Sequence, residues 1–183
     1  MPLCKFKNRE KGTIKLMLPI VSDLLPCAIM RVNILAVLAF CFLSCVPVEQ
    51  QGKVIKVVDG DTFDILDAST TTRIRLFGID APERGQAFNK RAKAFVDSLV
   101  SGRTIRVVVR DKDRYGRTVG DAYLSDGTFV NAEIVRAGYA WQFRQYSTDP
   151  EIARLELAAR SHRRGLWEDV HAIPPWEFRK GKR

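Results

Sequence analysis

The stretch VIKVVDGDTFDILDASTTTRIRLFGIDAPE, residues 54–83, decides the fold. Its runs VIKVV and RIRLFGI are rich in β-branched residues and alternate as strands do, whereas DGD and DAPE carry turn chemistry. The turns deliver three carboxylates, Asp61, Asp80 and Glu83, to strand ends that face a common rim beside Arg75. Gly60 fits a tight turn, where a backbone without Cβ can approach a ligand, and Asp59 reads as a turn carboxylate supporting its neighbours.

A lone DGD or a lone DAPE reads as a solvated acidic turn. The pair flanking an arginine-bearing strand reads instead as a cation site. Calcium takes carboxylate and backbone carbonyl oxygens, and Asp61, Asp80 and a carbonyl in the turn at 80–82 supply them without His or Cys.

VVDGDTF (57–63), RIRLFGIDAPE (73–83) and DRYGR (113–117) together resemble the thermonuclease, or staphylococcal-nuclease-like, family over residues 53–167. The resemblance implies an α+β, mainly β fold: a five-stranded OB-type barrel carrying three helices. It implies a monomer that hydrolyses DNA and RNA phosphodiesters with Ca²⁺ and leaves 3′-phosphates. By position, Asp61 and Asp80 match the calcium carboxylates and Ala81 the backbone carbonyl, although the best-known member has threonine there. Glu83 matches the proposed general base, and Arg75 and Arg117 the arginines that hold the scissile phosphate. Arg114 and Tyr115 fall where members contact a terminal phosphate and stack on a base, unless Tyr115 simply covers its hairpin. Of two substrate-binding tyrosines further on, this chain matches one, Tyr146, and has Arg144 in the other place.

Working outward, Lys53–Val58, Thr62–Leu66 and Thr72–Ile79 read as a meander of three strands. Apolar spacing predicts a core-packing helix over Gln86–Val100, closed by Gly102. Thr104–Arg110 and the segment after Arg117 read as strands, and the turn at 125–127 predicts a hairpin. Asn131–Ala137 reads as a short helix, and Trp141 as packing rather than a base platform. Asp149 is the expected cap of a further helix with Pro150 at its first position, stopped by Gly165. His162 and His171 read as surface residues.

The chain holds 30 Lys/Arg and 21 Asp/Glu, for a net charge of +9. The first fifty residues contain six and three of these, so residues 51–183 remain at +6. A basic domain attracts and steers polyanions, whether nucleic acid or an anionic membrane. Carboxylates gathered where phosphates approach make sense when a cation sits among them, which a pure binding surface does not need.

Residues 1–50 differ in kind and contain all four cysteines, which leaves the remainder without disulfides or thiolate metal sites. Within them, MRVNILAVLAFCFLSC (30–45) has the basic start and short apolar run of an export signal, with Met30 a candidate start. Cys45 is a lipidation candidate, and with it come expectations of a membrane tether and a periplasmic, anchored or secreted location. The alternative is an uncut N-terminal helix. Residues 51–170 form the expected barrel domain, and 171–183 a basic tail extended at Pro174-Pro175 and frayed at its end. Two functional alternatives stand beside the nuclease: a non-catalytic OB-type nucleic-acid or interaction module, and a tethered surface protein whose barrel is only scaffold.

Overall fold

The computed structural model describes residues 48–181. The export-signal reading of 30–45 and the lipidation candidate Cys45 lie outside the described residues. Five strands close into a barrel in the order β1-β2-β3-β6-β5, built from β1 (Glu49–Asp59), β2 (Thr62–Asp67), β3 (Thr70–Leu76), β5 (Thr104–Lys112) and β6 (Thr118–Leu124). A separate two-stranded sheet pairs β4 (Ile79–Asp80) with β7 (Trp141–Gln142). The helices among the described residues are α1 (Asn89–Val100), α2 (Val130–Arg136), α3 (Pro150–Ser161) and α4 (Pro175–Gly181), with a 3₁₀ turn over Gly165–Glu168.

The alternation expected of half-buried strands points Phe63, Ile65, Ile74, Leu76, Ile105 and Val107 inward, all essentially without solvent exposure. In β1, register shifts after Val54 and after Val57 let both valines face the core while Ile55 turns out. Gly120 is needed in β6, because a Cβ there would lie 2.6 Å from the Val108 carbonyl oxygen of the neighbouring strand β5. The meander is antiparallel, Thr62 pairing with Arg75, and the barrel closes by parallel pairing of β3 with β6, Arg75 against Val119. This closure brings Arg117, one residue before β6, to the end of the barrel where Asp61 and Arg75 already lie.

Four elements depart from the sequence expectation. The strand predicted over Thr72–Ile79 ends at Leu76, since Gly78 adopts φ 72° and redirects Ile79 and Asp80 to pair with Trp141 and Gln142. The helix predicted from Gln86 starts at Asn89, after Phe88 at φ 64°, and the Gln86 side chain bonds elsewhere. The turn at 125–127 returns through a single bridge, Tyr123 to Phe129, before α2 begins. The tail expected to be extended forms α4, a fourth helix where three were expected. Pro175 opens it, at a position whose N–H would have no helical partner in any case. The Asp149 cap behaves as read, accepting from the Glu151 amide at 2.8 Å.

Candidate active site

The two acidic turns meet because Gly60 has no side chain. A Cβ at that position would stand 2.8 Å from the Ala81 Cβ and 3.0 Å from the Ala92 Cβ of α1. The close approach lets Asp61 Oδ2 accept the Ala81 amide at 2.8 Å, while its Oδ1 accepts the Thr62 hydroxyl at 2.9 Å. Asp59 stays behind them, with Oδ1 accepting the Gly60 amide and Asn89 Nδ2. Asn89 also donates to the Pro82 carbonyl at 2.7 Å, so the first residue of α1 fastens both turns.

Arg75 is clamped into the protein. Its Nη1 donates to the carbonyls of Leu76 (2.8 Å) and Ile79 (2.9 Å), and its Nη2 to Asp80 Oδ1 (2.9 Å), with Asp61 Oδ2 at 3.1 Å. Its side chain is 15% exposed and that of Asp80 only 2%. Burial pushes the Asp80 carboxyl above its ordinary value and the Asp61 charge adds to this, while Arg75 and Arg179 offset only part. Two acidic side chains held together with so little water form a donor set that suits a hard cation. Among the described residues no group of three His, Cys, Asp or Glu is gathered to hold a metal.

The DRYGR loop lines the same cleft. Asp113 Oδ1 accepts the amides of Tyr115 and Arg117, and its Oδ2 accepts Arg117 Nε at 2.6 Å. Burial pushes the Asp113 carboxyl up, but the Arg117 side chain and these amides outweigh it and hold it below the ordinary value. Tyr115, 70% exposed, lies under the guanidinium groups of Arg114 (4.9 Å) and Arg117 (5.6 Å).

Asp61, Asp80, Ala81, Glu83, Arg75, Arg114, Tyr115, Arg117 and Tyr146 thus line one cleft of about 730 Å³. Arg144 does not join them. It lines a neighbouring groove and approaches Glu156, its Nη2 standing 3.4 Å from Oε2. Between the two hollows runs an aromatic row that the sequence did not announce: Tyr146 edge-on to Phe143 at 4.9 Å, and Phe143 stacked on Trp176 at 5.4 Å. Trp141 is buried and packs edge-on against Trp167, as its packing assignment required. The other missed residue is Arg179 of α4, whose guanidinium joins Asp80 and Glu83. The available signal was helical spacing, because Trp176 and Arg179 stand one turn apart after a proline that can begin a helix.

Residues 73–169 match the family model described as staphylococcal nuclease homologue. This chain belongs to the staphylococcal nuclease family. Among relatives, a protein of Escherichia coli named an uncharacterized endonuclease is 45% identical over 131 residues, 72% of this chain and 86% of its own length. A micrococcal nuclease of Shigella flexneri is 39% identical over 143 residues, covering 73% of this chain and 82% of its own. An uncharacterized endonuclease of Haemophilus influenzae is 36% identical over 145 residues, covering 78% and 81%. The family match covers Arg75, Asp80, Glu83 and Arg117 and runs on through α3, whereas Asp61 precedes it and Arg179 of this staphylococcal nuclease homologue follows it.

Asp59 gives a test of the electrostatics. Burial pushes its carboxyl up; the Gly60 and Asn89 hydrogen bonds pull down, and the Asp61 and Glu83 charges push further up. The folded protein therefore holds this proton more tightly than the unfolded chain. The ionised form opposes folding above the raised pKa and has no such effect below the ordinary value of 3.8. Asp59→Asn, which keeps an acceptor for both amides, should raise the thermal midpoint in chelator at neutral pH. The gain should vanish as pH falls towards that ordinary value. A gain that grew on acidification would contradict the burial account.

Proposed function

We propose that this staphylococcal nuclease homologue is a calcium-dependent nuclease that hydrolyses DNA and RNA with little sequence specificity and leaves 3′-phosphates. The observation that carries the reading is the one cleft lined by Asp61, Asp80 and Glu83 together with Arg75 and Arg117, within a basic domain.

Asp61, Asp80 and the Ala81 carbonyl would hold calcium, which when bound supplies positive charge against the phosphate oxygens. Glu83, partly exposed at the cleft, accepts a proton from the attacking water as general base, an effect commonly worth about 10² to 10⁴ in rate. Arg117 presents a guanidinium already oriented by Asp113, ready to meet charge growing on the equatorial oxygens. Arg75 Nη2 faces the acids and can exchange a carboxylate for a phosphate oxygen, while Nη1 stays on the backbone. Attack at phosphorus breaks the bond to the 5′-oxygen, which takes a proton from solvent and departs as a 5′-hydroxyl, and the phosphate stays on the 3′ side. Arg114 and the faces of Tyr115 and Tyr146 suit a phosphate and stacked bases. Charge and stacking do not read base edges, which supports low specificity and a preference for single strands. Arg144, at the neighbouring groove, is placed to follow the strand onward.

Ends of the products test the polarity directly. Digests of heat-denatured DNA and of RNA should carry 5′-hydroxyls that a kinase labels at once, and 3′ ends that a polymerase extends only after phosphatase treatment. Products bearing 5′-phosphates would overturn this mechanism. Nucleic acid retarded in a gel but left intact would favour the binding-module alternative. We also propose export, on the layout of residues 30–45, with Cys45 as the candidate lipid anchor; metabolic labelling with a fatty acid should mark the wild type and not Cys45→Ala.

A further inference from the structure

Arg179 reaches the cleft from the far end of the chain. Its Nη2 donates to Asp80 Oδ2 at 2.9 Å, and its Nη1 donates to Glu83 Oε1 and stands 3.5 Å from Asp80 Oδ1. The side chain is held by the seating of α4: Pro175 is buried, and Trp176 stacks on Phe143 with planes only 2° apart. Gln86 makes a second tie, since its Oε1 accepts the Glu83 amide at 2.9 Å while its Nε2 donates to the Ile173 carbonyl at 2.6 Å. The same side chain thus links the turn that carries Glu83 to the segment leading into α4.

A glutamate one-third exposed ordinarily samples several rotamers, and holding one has an entropic cost. Next to buried Asp80 it is also repelled. The Arg179 fork answers both effects, because two of its nitrogens span the two carboxylates and fix their separation. It holds Oε1 of Glu83 and is not bonded to Oε2.

We propose that Arg179 is a positioning residue of the hydrolytic reaction, which holds Glu83 through Oε1 so that Oε2 meets the attacking water. The C-terminal helix is then part of the active site. This inference rests on the nuclease reading. A misplaced reacting group commonly costs about 10²-fold, so the effect should fall on turnover.

The test uses the full chain, cleaving single-stranded DNA in calcium, with Arg179→Ala, Arg179→Lys and Trp176→Ala. Arg179→Ala should lower kcat by about 10- to 100-fold with KM changed little. Its thermal midpoint in chelator should fall modestly, because buried Asp80 keeps only Arg75 as a guanidinium partner, and the loss of kcat should persist at saturating calcium. Arg179→Lys should recover only part of the rate, because an ammonium lacks the fork. Millimolar guanidinium, far below denaturing levels, should restore part of the activity of Arg179→Ala, a response that loss of packing cannot give. Trp176→Ala should show the same kcat loss by unseating the helix. Wild-type turnover in Arg179→Ala would overturn the inference while leaving the nuclease standing. Faster turnover with tighter calcium binding would overturn it too, and would make Arg179 a competitor for the carboxylates. An inactive wild type would overturn both.

Discussion

Arg75→Ala should cost the protein much of its stability as well as its activity. Four acceptors converge on this guanidinium: the Leu76 and Ile79 carbonyls, Asp80 and Asp61. Removing it leaves Asp80, which is 1% exposed, beside Asp61 without its nearest counter-charge on the barrel. Breaking a buried ion pair from one side typically costs about 3–5 kcal/mol, because the remaining charge cannot be solvated. Arg179 also contacts Asp80, so the lower part of that range is expected. Arg75→Lys should fare little better, since one ammonium cannot reach two carbonyls and two carboxylates in the plane of a fork. Urea unfolding in chelator measures this. An Arg75→Ala midpoint equal to wild type would show that the clamp contributes nothing to the fold, and Arg75 would then be a phosphate ligand alone.

Glu83→Gln should do the reverse. The amide keeps an acceptor for Arg179 and a similar shape, and the wild-type side chain is only half-buried, so the fold has little to lose. It cannot take a proton from water near neutral pH. Turnover should fall by about 10² to 10⁴, the range general-base catalysis commonly contributes. The unfolding midpoint should move little. Initial rates with calcium varied across its binding range separate the two ways of losing activity: a missing base lowers the plateau, whereas a damaged cation site shifts the calcium requirement. A mutant with the wild-type plateau and the wild-type calcium requirement would remove Glu83 from the mechanism.

The contrast between these residues shows what the sequence could and could not say. Both lie in the quoted stretch, and their roles as acids and arginine on one rim follow from alternation and turn chemistry, which are local. The alternating strands, the Asp149 cap and the packing of Trp141 were legible for the same reason. What strand periodicity could not show is that Gly78 breaks the run before Asp80, because a positive φ is a property of one residue within an otherwise strand-like pattern. Arg75 could not be seen as a clamp until that bend brought the Ile79 carbonyl and Asp80 back onto it. Arg144 was placed by its position in a motif, yet the structure turns it to Glu156, a residue of α3 that is 2% exposed.

Arg179 was hidden for a different reason. It stands 96 residues from Glu83 and 99 from Asp80, in a basic tail whose composition reads as solvated. The burial of Pro175, the stacking of Trp176 on Phe143 and the Gln86 bond to Ile173 seat that tail as a helix whose Arg179 meets the acids. Composition averages over such a contact, whereas a helical reading of Pro175–Gly181 puts Trp176 and Arg179 on one face.

The cleft is expected to hydrolyse nucleic acid with calcium, with Arg117 meeting the charge of the transition state. The most direct measurement is digestion of heat-denatured DNA by purified residues 50–183, in millimolar calcium and in excess chelator, beside Arg117→Ala. The expected result is hydrolysis in calcium, none in chelator, and a loss of about 10² to 10³ in Arg117→Ala, the usual cost of removing one donor to transition-state charge. DNA that stays intact in calcium, or is cut equally by Arg117→Ala, would contradict the account.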